Sequence, residues 1–188
     1  MAAGIEATKL LHQGWNRLLA VTARTARGSQ IERSVEDHGH AAAVLPYDAD
    51  RRVALLVRQL RVPLLLAHGR ADSLEAPAGL LDGDDPAACV RREAMEEAGL
   101  SLSALTGLGL VFPMPGISTE GVHLFLAEYR AADRVGAGGG LAHETEEIEV
   151  VELALPALAA LADRGALHDL KTLALVQTLR LRRPELFA

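Results

Sequence analysis

Apolar and polar residues change their spacing along the chain, and each change of period predicts an element. Residues 15–27 alternate, with Leu18, Ala20 and Thr22 set against Leu19, Val21 and Ala23, and read as a strand. Gly28 and Ser29 then turn the chain into a second strand over residues 31–37. Residues 1–14 lack a clear period and predict a loose start or a short helix. Two apolar, β-rich runs, 40–47 and 52–60, flank Asp48-Ala49-Asp50, a hairpin signal, and should be central strands of a mixed sheet. The apolar segment 62–66 contains Pro63, which suits an edge or a loop, and 68–73 reads as a polar loop. Further strands are predicted over 105–112, over 121–129 with Val122, Leu124 and Leu126 on one face, and over 147–155. Helices follow at 156–163 and 168–182, divided by Arg164-Gly165, with Leu170, Leu173, Ala174 and residues 176–181 as the buried stripe.

One stretch has helical boundaries written into it. Asp85 is a good N-cap, Pro86 suits the first helical position, where its missing N–H costs nothing, and Gly99 suits the left-handed position that ends a helix. Ala88, Cys89 and Ala94 offer small apolar surface for packing. Glu93, Glu96 and Glu97 then fall within one turn on one face. Like charges at that spacing cost an isolated helix roughly 0.2–0.5 kcal/mol per pair, and a hard divalent cation with oxygen ligands offsets it. The plain alternative is a solvated acidic face.

Composition narrows the class. Hydrophobic residues at 49% and charged ones at 23% are the balance of a globular domain, and 188 residues suffice for one well-cored unit. A net charge of −6 argues against a general nucleic-acid binder. The single cysteine, Cys89, allows no internal disulfide and fits a reducing compartment. No apolar run approaches the roughly 18–20 residues of a membrane span and no signal-peptide pattern is present, so the expected location is cytoplasmic.

Other residues carry candidate chemistry. Arg61 closes the run RQLR at the end of the second central strand, where a guanidinium could hold a diphosphate by paired hydrogen bonds, or simply be a surface arginine. Pro77 and Gly79 bend the chain just after Glu75, a candidate for orienting substrate or a metal-bound water. Trp15 could stack on a nucleobase or pack an interface. His123 reads as a packed strand histidine. Lys171 stands in the first turn of the last helix, where the dipole does not favour a cation. Residues 130–147 have little periodicity and include GAGGG, which neither runs from a strand into a helix nor carries the Lys-Ser/Thr of a phosphate loop. A loop of this length in a compact domain is usually functional or disordered.

The residues Arg92, Glu93, Ala94, Glu96, Glu97, Gly99 and Leu100 resemble the second half of the Nudix box, Arg-Glu-apolar-any-Glu-Glu-any-Gly-apolar. The first half departs from it: the family has Gly, five residues, then Glu, whereas here Gly79 is followed one residue early by Asp84. PAGLLDGDDP and the later AEYRAADRVGAGGG resemble the GDP-mannose pyrophosphatase branch of the nucleoside diphosphate-sugar hydrolases, over about residues 15–171.

The resemblance implies a Nudix fold, α/β, with a mixed sheet between helices. It implies a hairpin extension over 1–38, exchanged in a homodimer, ahead of a hydrolase domain over 39–188. The expected activity is Mg²⁺-dependent hydrolysis of a nucleoside diphosphate-sugar, GDP-mannose giving GMP and mannose 1-phosphate, with Mn²⁺ as an alternative ion. ADP-ribose hydrolysis is the runner-up, because PAG before the box also resembles the ADP-ribose pyrophosphatases. A non-catalytic nucleotide-sugar sensor is the reading of another class. By the same resemblance the Ala78 carbonyl, Glu93, Glu96, Glu97 and Glu146 hold metal, and Arg92 orients the box carboxylates. Glu146 is the late catalytic base, with Glu144 and Glu147 as competitors. Trp15, Arg33, Arg61, Glu75, Gly79, Glu120 and Lys171 contact substrate, Glu120 through the sequence Ser118-Thr119-Glu120. Neither nucleic acid nor membrane is expected as a partner.

Overall fold

The computed structural model describes residues 2–141 and 147–188. The chain divides into two compact units, residues 1–40 with 112–121, and residues 41–111 with 122–188.

The first unit is a three-stranded antiparallel meander of β1 (Gly4–Gln13), β2 (Arg17–Arg24) and β3 (Gln30–Asp37). The predicted hairpin is β2–β3. The predicted loose start is instead β1, paired along β2 with two register shifts. Every residue of β1 is exposed, so no buried face imposes alternation on its sequence, and only its partner defines it. Against β3, residues 117–119 dock as a short parallel bridge: Glu36 N–H donates to Ile117 O at 2.8 Å, and Thr119 N–H to Glu36 O at 3.0 Å.

The second unit is built on a seven-stranded sheet. Its strands are β4 (Ala41–Asp48), β5 (Val53–Leu60), β6 (Asp72–Glu75), β7 (Ala78–Leu80), β8 (Thr106–Val111), β9 (Val122–Glu128) and β10 (Glu149–Ala154). Four of them flank β4 in the order β10-β5-β4-β9-β8, with β4 and β9 parallel and the other pairs antiparallel. All eight residues of β4 are buried, and alternate ones serve opposite faces. Ala41, Ala43, Leu45 and Tyr47 pack with Leu155, Leu158, Leu175, Val176 and Leu179 from α3 (Leu155–Asp163) and α4 (Leu170–Arg182). Ala42 and Val44 pack with Cys89, Val90, Ala94 and Ala98 from α2 (Pro86–Ala98). The helices therefore cover both faces, and each fully buried Leu or Val contributes roughly 1.5–3 kcal/mol. This is the mixed α/β sandwich expected. Among the described residues no helix is long and apolar enough to cross a membrane.

The sheet splits where it matters. β4 and β5 pair only at Tyr47–Ala54 and Asp48–Val53, then diverge. β6 continues on β5 and β7 on β4, so residues 76 and 77 cross the opening between them.

Within the second unit, three local expectations needed correction. Residues 62–66 belong to α1 (Val62–His68), because Pro63 sits in its first turn, where a missing N–H is harmless, and Gly69 closes it in the left-handed region at φ 67°. Part of the polar loop 68–73 is β6, held by β5. The buried stripe of α4 is Thr172, Leu175, Val176 and Leu179, while Leu170 is 55% and Leu181 83% exposed. Those two apolar residues lie off the face that i, i+3, i+4, i+7 spacing from Thr172 turns to the sheet.

Candidate active site

α2 is held at both ends by its own residues. The Asp85 carboxylate accepts from Ala87 N–H at 2.9 Å and Ala88 N–H at 3.2 Å, and Gly99 closes the helix at φ 67°. Cys89, Val90, Ala94 and Ala98 face the sheet, but Ala88 is exposed. The three glutamates differ in burial. Glu97 is 3% exposed and accepts the Ala78 N–H at 3.1 Å, so the helix carboxylate touches the strand β7 directly. Glu93 lies against Gly79, where a Cβ would fall 1.9 Å from Glu93 Oε1. Arg92 Nη1 donates to Glu93 at 2.7 Å and to Glu96 at 3.2 Å, and Nη2 donates to Leu80 O at 3.2 Å. Burial disfavours the Arg92 charge, but Glu93 and Glu96 outweigh this and raise its pKa. Asp84 reaches Arg92 Nε at 3.5 Å, which gives the acid of the shortened loop a partner in the same network.

Among the described residues, no three His, Cys, Asp or Glu side chains form a ready-made metal cluster. The donors are nevertheless all oxygens, gathered on one helix face against a strand backbone. This suits a hard divalent ion of the kind that takes one or two protein carboxylates and completes its shell with water and substrate phosphates.

The bend between β6 and β7 is pinned residue by residue. Thr172 Oγ1 accepts the Ala76 N–H at 2.7 Å, Val44 N–H donates to Pro77 O at 3.0 Å, and Glu97 accepts from Ala78. Ahead of the bend, Glu75 is 3% exposed and takes two bonds of 2.8 Å from Arg61, through Nε and Nη2, and a third from Lys171 Nζ. Burial raises the Glu75 pKa, but the Arg61 hydrogen bonds and the Lys171 charge more than reverse this and bring it to about 2. Lys171 also donates to Asp169 at 3.0 Å, and Asp169 caps α4 through Thr172 N–H at 2.9 Å. The dipole misfit of Lys171 is answered by these two carboxylates.

Of the expected site residues, Arg61, Glu75, Ala78, Gly79, Arg92, Glu93, Glu96, Glu97 and Lys171 all belong to the second unit. Trp15, Arg33 and Glu120 belong to the first. There Trp15, 77% exposed, stacks on His38 with ring centroids 5.0 Å apart and planes 24° apart. His38 Nδ1 lies 2.6 Å from Glu36 and Nε2 3.4 Å from Glu120. Burial lowers the His38 pKa, but its hydrogen bonds to Glu36 and Glu120 prevail and raise it. Arg33 is exposed on β3 and donates to Glu32 O at 2.8 Å, apart from that cluster. Glu144 and Glu146 lie outside the described residues, and Glu147 is exposed.

Sequence reasoning missed His38, Asp169 and Thr172. Asp169 had a signal, since an Asp just ahead of a helical run is a favoured N-cap, and Thr172 had none. The glycine run also has a role that its sequence did not suggest. Gly139 and Gly140 N–H donate to Glu97 O at 2.9 Å and Glu96 O at 3.0 Å, so the run caps the last carbonyls of α2.

The family described as NUDIX domain matches residues 37–176. The GDP-mannose pyrophosphatase of Cronobacter sakazakii is 42% identical over 153 residues, 80% of this chain and 78% of the relative. That of Klebsiella pneumoniae subsp. pneumoniae is 39% identical over 178 residues, 92% of this chain and 88% of the relative. The crystal structure of an ADP compounds hydrolase superposes with a TM-score of 0.77 over 98% of this chain and 96% of its own, at 15% identity, a likeness of fold.

Proposed function

The chain belongs to the NUDIX domain family, and from that premise we propose that it hydrolyses the diphosphate linkage of a nucleoside diphosphate-sugar, GDP-mannose giving GMP and mannose 1-phosphate. The observation that carries this reading is the carboxylate face of α2 set against the bend that begins β7, with Glu97 bonded to Ala78 and Arg92 bridging Glu93 and Glu96. The name shared by relatives of 37–42% identity supports the substrate.

Nudix hydrolases generally use a divalent metal, and here Glu93, Glu96, Glu97 and the Ala78 carbonyl would hold Mg²⁺, or Mn²⁺ in its place. Bound there, the ion neutralises the diphosphate and lowers the pKa of water. Arg92 orients the carboxylates of Glu93 and Glu96. Arg61 and Lys171 bind the phosphates, with Glu75 between them holding both cations in position. Gly79 leaves room for Glu93 beside the strand. Glu146 takes the proton from the attacking water, with Glu144 and Glu147 as the other carboxylates close in sequence. The water oxygen forms one P–O bond as the anhydride P–O bond breaks, and the two phosphate monoesters leave. Trp15 and Glu120 contact the nucleoside, and Arg33 adds a positive charge on β3. Residues 1–38 serve as a dimerisation extension ahead of a hydrolase domain over 39–188, a reading supported by the fully exposed strand β1.

The test is phosphate-coupled turnover of GDP-mannose and ADP-ribose side by side, with Mg²⁺, with Mn²⁺ and with chelator. Metal-dependent turnover with a large preference for GDP-mannose is expected. A preference for ADP-ribose would keep the chemistry and discard the substrate, and no turnover of either would bring forward the sensor reading.

A further inference from the structure

Thr172 stands 96 residues from Ala76, is fully buried, and belongs to a helix on the opposite face of the sheet from α2. Its hydroxyl has two partners. It accepts the Ala76 N–H at 2.7 Å, and it donates to Asp169 at 2.5 Å. The same Asp169 carboxylate oxygen accepts the Thr172 N–H at 2.9 Å, while the other accepts from Lys171 at 3.0 Å. One side chain therefore joins the first turn of α4 to the backbone two residues before Ala78.

That backbone has little freedom to choose its own path. It crosses the gap where β4 and β5 separate, and among the described residues no strand pairs with Ala76. Pro77 has no N–H to offer, and its carbonyl is held by Val44. The direction of the Ala78 peptide is thus set from three sides: by β4 at Pro77, by Glu97 at the Ala78 N–H, and by Thr172 at the Ala76 N–H. Removing the hydroxyl would leave a buried N–H without its acceptor, and the bend would rotate to find another.

We propose that Thr172 is a positioning residue: its hydroxyl, oriented by Asp169, sets the Ala76–Ala78 bend, and through it the geometry of the Ala78 carbonyl and Glu97 toward a divalent cation. The inference rests on the Nudix reading of the α2 face. Groups that orient metal ligands act on affinity and turnover more than on substrate recognition, and Lys171, though it shares Asp169 with Thr172, keeps its own bond to Glu75 when the hydroxyl is removed.

The test compares Thr172→Val, which keeps the shape and removes the hydroxyl, with Thr172→Ser, which keeps the hydroxyl and removes the methyl. Mn²⁺ binding to the full chain without substrate is followed by electron paramagnetic resonance, and steady-state kinetics with GDP-mannose and thermal unfolding are measured alongside. For Thr172→Val the Mn²⁺ Kd should rise about 10–100-fold and kcat should fall by a similar factor, with KM changed less than about threefold. Thr172→Ser should restore both to within about threefold of the unmodified chain. Normal Mn²⁺ affinity and kcat in Thr172→Val, with only a lower Tm, would reduce Thr172 to a structural clip and overturn the proposal. So would equal losses in Thr172→Ser and Thr172→Val, which would assign the effect to the methyl. If the unmodified chain binds no Mn²⁺, the metal reading of the α2 glutamates fails first, and this inference falls with it.

Discussion

Glu75 and Arg61 meet as a fork on a fork, with Nε and Nη2 of the guanidinium each 2.8 Å from a different oxygen of a carboxylate that is almost entirely buried. Lys171 adds a second cation to the same carboxylate. One anion thus holds the two basic side chains assigned to the substrate phosphates. Glu75→Gln keeps the shape and removes the charge that offsets both. Breaking a buried pair costs about 3–5 kcal/mol, and since the Arg61 side chain is 40% exposed the expected loss is nearer 2 kcal/mol. Urea denaturation of the two proteins at neutral pH checks it.

The same pair makes stability depend on acid. The Glu75 pKa is 4.5 without its surroundings and about 2 in the fold, so the unfolded chain takes up the proton first. The contribution of Glu75 is therefore complete above pH 4.5 and is lost as pH falls from there toward 2. It amounts to about 3 kcal/mol as an upper figure. The difference in urea midpoint between wild type and Glu75→Gln should shrink over that window, and a difference that stays constant would disprove the assignment.

Glu97→Gln separates chemistry from folding. The amide oxygen of Gln can still accept the Ala78 N–H, so the link between α2 and β7 survives. Turnover should fall by several orders of magnitude while Tm stays within a few degrees of wild type. Equal loss of both would make the glutamate a structural group.

Gly79 and Gly138 should respond differently to alanine. At Gly79 the new Cβ would meet the Glu93 carboxylate, the far end of a flexible side chain that can swing aside. Gly79→Ala should therefore abolish most activity at a stability cost below about 1 kcal/mol. At Gly138, φ is +71° and the Cβ would lie 2.4 Å from the Glu97 carbonyl oxygen, a backbone atom. Gly138→Ala should cost about 1–3 kcal/mol, read from chemical denaturation.

Trp15 is the only tryptophan in the chain and stacks on His38. Its fluorescence should titrate with a midpoint above the ordinary histidine value of 6.5, because Glu36 and Glu120 hold the proton on His38. The stabilisation from that proton is complete below pH 6.5 and lost as pH rises through the raised pKa. His38→Gln should remove the fluorescence transition, and a transition that persists would belong to another group.

The ends of α2 were legible from residues 85, 86 and 99 because capping is a contact between neighbours in the chain. The central strands β4, β5 and β9 were legible because a buried face imposed its pattern, and the glutamates at 93, 96 and 97 shared a face because a helix turn brings them there. β1 was invisible for the opposite reason: exposed along its whole length, it owes its conformation to β2. That Arg61 and Lys171 share Glu75 could not be read, since it lies 14 residues from one and 96 from the other. Nothing in the spacing of the last helix pointed to Thr172, whose partner Ala76 lies 96 residues away. Interactions within a turn or two are encoded where they act, so local sequence carried the helix and its acidic face. The charge pair, the pinned bend and the glycine cap on α2 join distant segments, and they exist only once the split sheet has brought those segments together.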